Sequence, residues 1–198
     1  MDIDALRAQF PVLRERAYLF AGGIGPLATS VRAAQDAVLD RWQADPAGLY
    51  ATLGDEWQAA RGAFARITGV GADELALVDS TSRASNLAAQ MLDVAPGDNV
   101  VVDDYTYWSS RVPWLLRGRR GVEVRRVAAR ADATIATDDI AAAVDARTRA
   151  VSVTSVAWQS GFRHDLPALA EVAHAAGALL IVDTAQHAGA ARLELAAA

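Results

Sequence analysis

The sequence contains no cysteine, which removes disulfides, thiolate metal ligands and a cysteine nucleophile from consideration within these residues. It contains no lysine either: all 19 basic residues are arginines, set against 24 acidic ones for a net charge of -5. Dispersed arginines on an acidic chain make a poor surface for nucleic-acid phosphates, so no nucleic-acid partner is expected. The densest basic run, Arg117, Arg119, Arg120, Arg125 and Arg126, reads as a solvated face around a helix end and a strand. No apolar run approaches the roughly 20 residues of a membrane-spanning helix, and Asp2, Asp4 and Arg7 break up any signal-like apolar start. No membrane partner and a cytoplasmic location are the expectations. Histidine is scarce, with three in the chain. A metal site of His164, His187 and Asp183 has no supporting pattern; surface or loop histidines are expected there, and no metal. What the chain does have is 53% hydrophobic residues, enough for a buried core and a globular fold.

Helical and strand patterns alternate after about residue 70, the signature of an α/β domain with a largely parallel sheet. Residues 1–70 read as a helical segment with a glycine-rich turn, and residues 71–198 as the sheet-bearing domain. In the first part a helix from about Thr29 to Trp42 places Val31, Ala34, Val38 and Trp42 on one face, and a second carries Trp57, Ala60, Phe64 and Ile67 and ends at Gly69. The sheet is expected from the runs Leu75–Asp79, Asn99–Asp103, Val122–Val127, Arg149–Ser155 and Ala178–Val182. Between them lie helices through Leu87 and Met91, one with Pro113 in its first turn, one over Thr137–Ala146, and one capped by Asp165 and ended by Gly177.

Three polar clusters follow strands, at residues 80–83, 103–110 and 183–187. In an open parallel sheet ligands bind beyond the carboxyl ends of the strands, so these clusters are candidates for one crevice. Thr81 and Ser82 sit where a strand passes into a helix, where free N–H groups and the helix dipole favour an anion such as phosphate; a simple helix cap is the alternative. Asp183 ends a continuous apolar strand, so its carboxylate needs a partner. A cap, a metal or a protonated pyridine ring would each serve. Gln186, a short turn later, has an amide that could reach a phenolate oxygen on the same ring. Tyr107 and Trp108 are positioned either to lie over a planar cofactor or to join the core.

Taken together, Leu77-Val78-Asp79-Ser80-Thr81-Ser82-Arg83-Ala84-Ser85-Asn86-Leu87, Tyr107 to Trp114, Gly161-Phe162-Arg163-His164-Asp165-Leu166 and Val182-Asp183-Thr184-Ala185-Gln186 resemble class V aminotransferases. This fold-type I family includes cysteine desulfurases, selenocysteine lyases and isopenicillin-epimerase-like enzymes. The resemblance implies a three-layer α/β/α fold with a mostly parallel mixed sheet and pyridoxal 5'-phosphate as cofactor. It also implies an amino-acid substrate, with lyase, epimerase or transaminase chemistry, and a homodimer, or a heteromer with a chain carrying the C-terminal half. By position, Thr81 and Ser82 would hold the phosphate, Tyr107 would stack on the ring, Asp183 would partner the pyridine nitrogen and Gln186 the phenolate oxygen.

The departures from that pattern carry expectations too. Trp158 stands where asparagine is frequent, and Tyr107 where desulfurases have a histidine that can shuttle protons, so from Tyr107 an epimerase- or lyase-like subgroup is expected over sulfur extraction. Arg83 takes a position that is often glutamate, and Phe20 one that is often polar. In the family the Schiff-base lysine lies one strand beyond the Asp-x-x-Gln element and the small C-terminal domain follows, so the resemblance implies either a fragment or a natural half to which a second chain supplies both. Two other readings compete. Gly23-Ile24-Gly25-Pro26-Leu27-Ala28, with Asp45 about 20 residues on, formally matches a nicotinamide-dinucleotide fingerprint. A non-catalytic subunit or fragment that keeps the fold is the other.

Overall fold

The computed structural model describes residues 2–193, which fall into two compact units, Met1–Ala60 and Arg61–Ala198. The first opens with helix α1 (Ile3–Ala8), started by Asp2, whose Oδ1 accepts the N–H of Asp4 and of Ala5 at 3.0 and 3.1 Å. Gln9 then ties the chain to the start of helix α2 (Thr29–Ala44), its carbonyl accepting the N–H of Thr29 and its Oε1 the Thr29 hydroxyl, both at 2.8 Å. The apolar periodicity read from the sequence is present in α2, yet none of its residues is buried. Helix α3 (Pro46–Thr68) starts in this unit and finishes in the second.

The dinucleotide reading fails here. Residues 18–20 are not a strand, and 25–28 run irregularly into α2, so the strand–turn–helix geometry that brings a pyrophosphate onto a helix start is missing. Asp45 is accounted for locally. Its Oδ1 accepts the N–H of Gly48 at 3.0 Å and starts α3, with Pro46 at the first position, where a missing N–H costs nothing.

The second unit is built on four parallel strands in the order β2-β1-β3-β4: β1 (Asn99–Asp103), β2 (Glu123–Val127), β3 (Thr148–Thr154) and β4 (Leu179–Asp183). The register aligns Thr154 with Asp183. Side-chain alternation splits each strand between two cores. Val100 and Val102 of β1, Ala150 of β3 and Ile181 of β4 pack with Ala89 of helix α4 (Thr81–Met91) and Trp114 of helix α5 (Trp108–Gly118). On the opposite face Val101, Val151, Val153, Leu180 and Val182 pack with Ile140 of helix α6 (Thr137–Ala141) and Leu169 and Ala173 of helix α7 (Leu166–Ala175). The result is the three-layer α/β/α arrangement expected of near-continuous Val/Ile/Leu strands covered on both faces.

Four local expectations are corrected. Leu75–Asp79 is extended at Leu75 but joins none of the four strands; a strand needs a ladder partner, and the described residues provide none. Pro113 lies inside α5, not in its first turn. Tyr107 starts the helix earlier than the proline suggests, so the N–H that Pro113 lacks is one from the interior. Helix α6 stops at Ala141 and continues as turns. The arginine run is also more engaged than a solvated face. Arg117 Nη2 donates to the carbonyl of Ala89 at the end of α4 (2.9 Å), and Arg125 bridges Glu123, Asp145 and the carbonyl of Ala143 at 2.9 Å each. Among the described residues no helix is long and apolar enough to cross a membrane.

Candidate active site

The carboxyl ends of the strands and the start of α4 enclose an open pocket of about 600 Å³, a size that accommodates a cofactor-sized ligand. Its wall includes Ser80, Thr81 and Ser85 from α4 and its cap, Ser110 from α5, Ser152 from β3, and Asp183 and Thr184 from the end of β4. The three polar clusters read from the sequence therefore each contribute to one crevice. Two of the candidate residues, Thr81 and Asp183, are in its wall; Ser82, Tyr107 and Gln186 are not.

At the α4 end the N-cap is Ser80, whose hydroxyl accepts the N–H of Arg83 at 3.2 Å. The cap takes the third N–H of the helix and so does not use those of Thr81 and Ser82, the residues that open it. Both are exposed. Asp79 also lies in the wall, within 3.9 Å of the Arg83 guanidinium, which offsets its charge.

At the other end Asp183 projects from the last position of β4 on the same face as Ile181. Its Oδ2 accepts the Ser110 hydroxyl at 2.7 Å and its Oδ1 the N–H of Ala185 at 3.0 Å. Each oxygen is left with acceptor capacity, so a further N–H donor, such as a protonated ring nitrogen in the pocket, fits this carboxylate. Its backbone carbonyl accepts from Ser155 N–H at 2.9 Å and Ser155 Oγ at 3.2 Å, fixing the strand end against the loop after β3.

Tyr107 is the N-cap residue of α5. Its half-exposed ring meets Trp158 edge to face, with centroids 5.9 Å apart at 85°. Two of the four positions that depart from the family pattern are thus in contact with each other. Trp108 stacks under the Arg111 guanidinium at 4.3 Å. Gln186 is partly buried just beyond β4.

Sequence reasoning missed two features. His164 and His187 are buried, at 4% and 1% exposure, where surface or loop positions were expected. His164 Nε2 lies 2.8 Å from Oδ2 of Asp103, itself fully buried, and Oδ1 of Asp103 accepts both the N–H and the hydroxyl of Thr106. This pair ties the loop carrying Tyr107 to the loop carrying Trp158. The signal available was an aspartate ending the apolar strand Val100-Val101-Val102, which demands a buried partner. The second feature is Ser110, which closes the polar cluster 103–110 but was not singled out within it; its place in that cluster was the available signal. Next to this end of β1, burial pushes Asp104 up, but the Arg126 guanidinium and the N–H of Ala129 outweigh it and hold the carboxyl below its ordinary value. Among the described residues no group of three or more acidic or histidine side chains is placed to hold a metal ion.

Residues 17–198 match the family model described as aminotransferase class-V. A probable cysteine desulfurase of Methanothermobacter thermautotrophicus is 33% identical over 193 residues, an alignment covering 96% of this chain and 48% of that one. A cysteine desulfurase of Klebsiella pneumoniae is 30% identical over 201 residues, covering 93% and 49%. The chain spans about half the length of the curated relatives it matches. Among solved structures, a cystine C-S lyase captured with its product cysteine persulfide superposes with a TM-score of 0.84 at 23% identity, covering 95% of this chain and 52% of that one. The cysteine desulfurase CsdA of Escherichia coli does so at 0.84 and 21%, covering 99% and 52%. At those identities the superpositions establish the shared fold. With the family model spanning nearly all of the sequence, the chain belongs to the class V aminotransferases.

Proposed function

We propose that the pocket binds pyridoxal 5'-phosphate and that residues 71–198 form the cofactor-cradling part of an enzyme acting on an amino acid. The observation that carries this reading is the placement of the Asp183 carboxylate and of the start of α4, where the Ser80 cap leaves the N–H groups of Thr81 and Ser82 unused, at one cofactor-sized pocket. The relatives' names favour cysteine, or an amino acid of its class, and carbon–sulfur cleavage. That reading sets aside the preference for other subgroups drawn from Tyr107.

When bound, the cofactor supplies an electron sink for a carbanion next to the amino group. The chain's own residues hold and orient it. The N–H groups and hydroxyls of Thr81 and Ser82 take the phosphate at the positive end of α4. Asp183 keeps a proton on the ring nitrogen, which preserves the ring's electron demand, while Gln186 donates to the phenolate oxygen. Tyr107, braced by Trp158, covers the ring. The lysine that anchors the cofactor in this family has no counterpart among these 198 residues. A second copy does not supply it, so a complementary segment carries it, and the working enzyme is a dimer or heteromer that includes that segment.

Titrating the chain with pyridoxal phosphate, followed by visible absorption and induced circular dichroism, tests the cradle without requiring turnover. Saturable binding is expected, weakened by roughly tenfold or more in Asp183→Ala, since a hydrogen bond to a charged group is lost. An Asp183→Ala variant that is folded and binds as tightly as the parent would falsify the assignment.

A further inference from the structure

Ser110 is buried on the first turn of α5, its N–H donating to the carbonyl of Tyr107 at 3.0 Å. Its hydroxyl touches two partners, Asp183 Oδ2 at 2.7 Å and Ser85 Oγ at 3.1 Å. A carboxylate only accepts, so the Ser110 proton goes to Asp183, and the Ser85 hydroxyl must then donate to Ser110. The hydrogen bonds run in one direction, from α4 through α5 to the end of β4. Ser85 is also one turn after Thr81 on α4, so the two share a helix face, and Thr81, Ser85, Ser110 and Asp183 all line the pocket.

We propose that Ser110, held by Ser85, is a positioning residue that fixes the Asp183 carboxylate relative to the start of α4; for its role in cofactor binding this rests on the pyridoxal-phosphate reading. The argument is geometric. A short aspartate side chain has two rotatable bonds. The N–H of Ala185 constrains Oδ1 from within its own loop, whereas Ser110 constrains Oδ2 from a different element. A rigid planar ligand anchored at its phosphate and at its ring nitrogen has a fixed span between those anchors. Binding groups must match such a span within about half an ångström. The Ser85–Ser110–Asp183 chain is the direct hydrogen-bonded link between the two ends of the pocket that would meet it. The same turn of α5 presents Tyr107, so one helix start would set both the covering ring and the acid.

The test uses the full chain and the variants Ser110→Ala, Asp183→Ala and the double substitution, with pyridoxal phosphate affinity measured by equilibrium dialysis and thermal melting as the folding control. Ser110→Ala is expected to weaken binding roughly tenfold, the loss of one hydrogen bond to a charged group, and to have no further effect once Asp183 is alanine. A merely structural serine would weaken binding by the same factor in both backgrounds. In the ligand-free chain, side-chain scalar couplings of Asp183 should report one rotamer in the parent and averaging in Ser110→Ala. Full affinity in Ser110→Ala, or an equal loss in both backgrounds, overturns the proposal. Parent binding that Asp183→Ala weakens and Ser110→Ala does not rejects the strut alone. No binding by the parent, with the Asp183 rotamer still locked by Ser110, rejects the cofactor reading alone.

Discussion

Two buried or half-buried carboxylates show how position decides what an aspartate does. Asp103 and His164 form a hydrogen-bonded pair with almost no solvent access, and removing one partner leaves the other desolvated and unsatisfied. His164→Ala should therefore lower the unfolding free energy by at least about 2 kcal/mol, read from urea denaturation as a lower midpoint with unchanged slope. A loss within error would mean that water satisfies Asp103. Asp145 sits at the opposite end of the sheet. The N–H of Arg147, then the amide of Asn99 and the Arg125 guanidinium, hold its carboxyl down at about 2, below the usual 3.8. The sign follows from linkage: with the folded value depressed, the stabilisation is complete above about pH 4 and lost as pH falls through 2. Asp145→Asn should accordingly be less stable than the parent at neutral pH, with the two unfolding curves converging as pH approaches 2. A gap that stays constant from pH 7 to 2 would rule out ionisation of Asp145 as the cause. Neither network was legible in the sequence. Asp103 and His164 lie 61 residues apart and Asn99 and Asp145 lie 46 apart, and the tertiary fold, which places the loops holding His164 and Asp145 at the two ends of β1, brings them together. Asp183 was legible because the local pattern, five apolar residues ending in an acid, already places it at a strand end.

At the level of elements, local chemistry explains most boundaries. Asp165 Oδ1 accepts the N–H of Ala168 at 3.1 Å and starts α7, and Gly177 ends it with φ at +72°, its N–H donating to the carbonyl of His174 at 2.9 Å. Alanine at Gly177 must adopt the left-handed conformation that its Cβ disfavours. Gly177→Ala should cost about 1 kcal/mol, seen as a lower thermal midpoint without loss of far-ultraviolet helicity. An unchanged midpoint would show that the turn relaxes to another conformation. Strand β1 has the bounds its valine run and the Pro96-Gly97-Asp98 turn dictate, with Gly97 at φ +93°. The apolar run at Leu75–Asp79 has equally good strand chemistry and is not a strand, because pairing is a relation between segments that one segment cannot specify. Pro113 misled for a related reason. Proline at a helix start is a rule about N–H accounting, and α5 tolerates the missing bond one turn further in.

The whole chain poses a question of coverage. In the unit Met1–Ala60, Leu49 is the one described residue that is buried. Val31, Val38, Leu39 and Trp42 of α2 are exposed, Trp42 at 61%, and Trp57 of α3 is exposed at 62%. Single exposed apolar residues are ordinary, but a helix whose entire apolar stripe faces outward has the composition of a surface that becomes buried in an assembly. The relatives are about twice as long as this chain, and the proposed enzyme needs a lysine from outside these residues. A second copy of this chain would cover the stripe. Sedimentation velocity on the chain by itself should then show self-association above 20.9 kDa that depends on concentration. Replacing Trp42 and Leu39 by serine should shift it toward monomer while leaving the melting of the sheet-bearing unit unchanged. A monomer at every concentration, with the parent and the substituted chain sedimenting alike, would show that this stripe is not the surface through which the chain meets a second copy. The complementary segment would then be the remaining candidate to cover it.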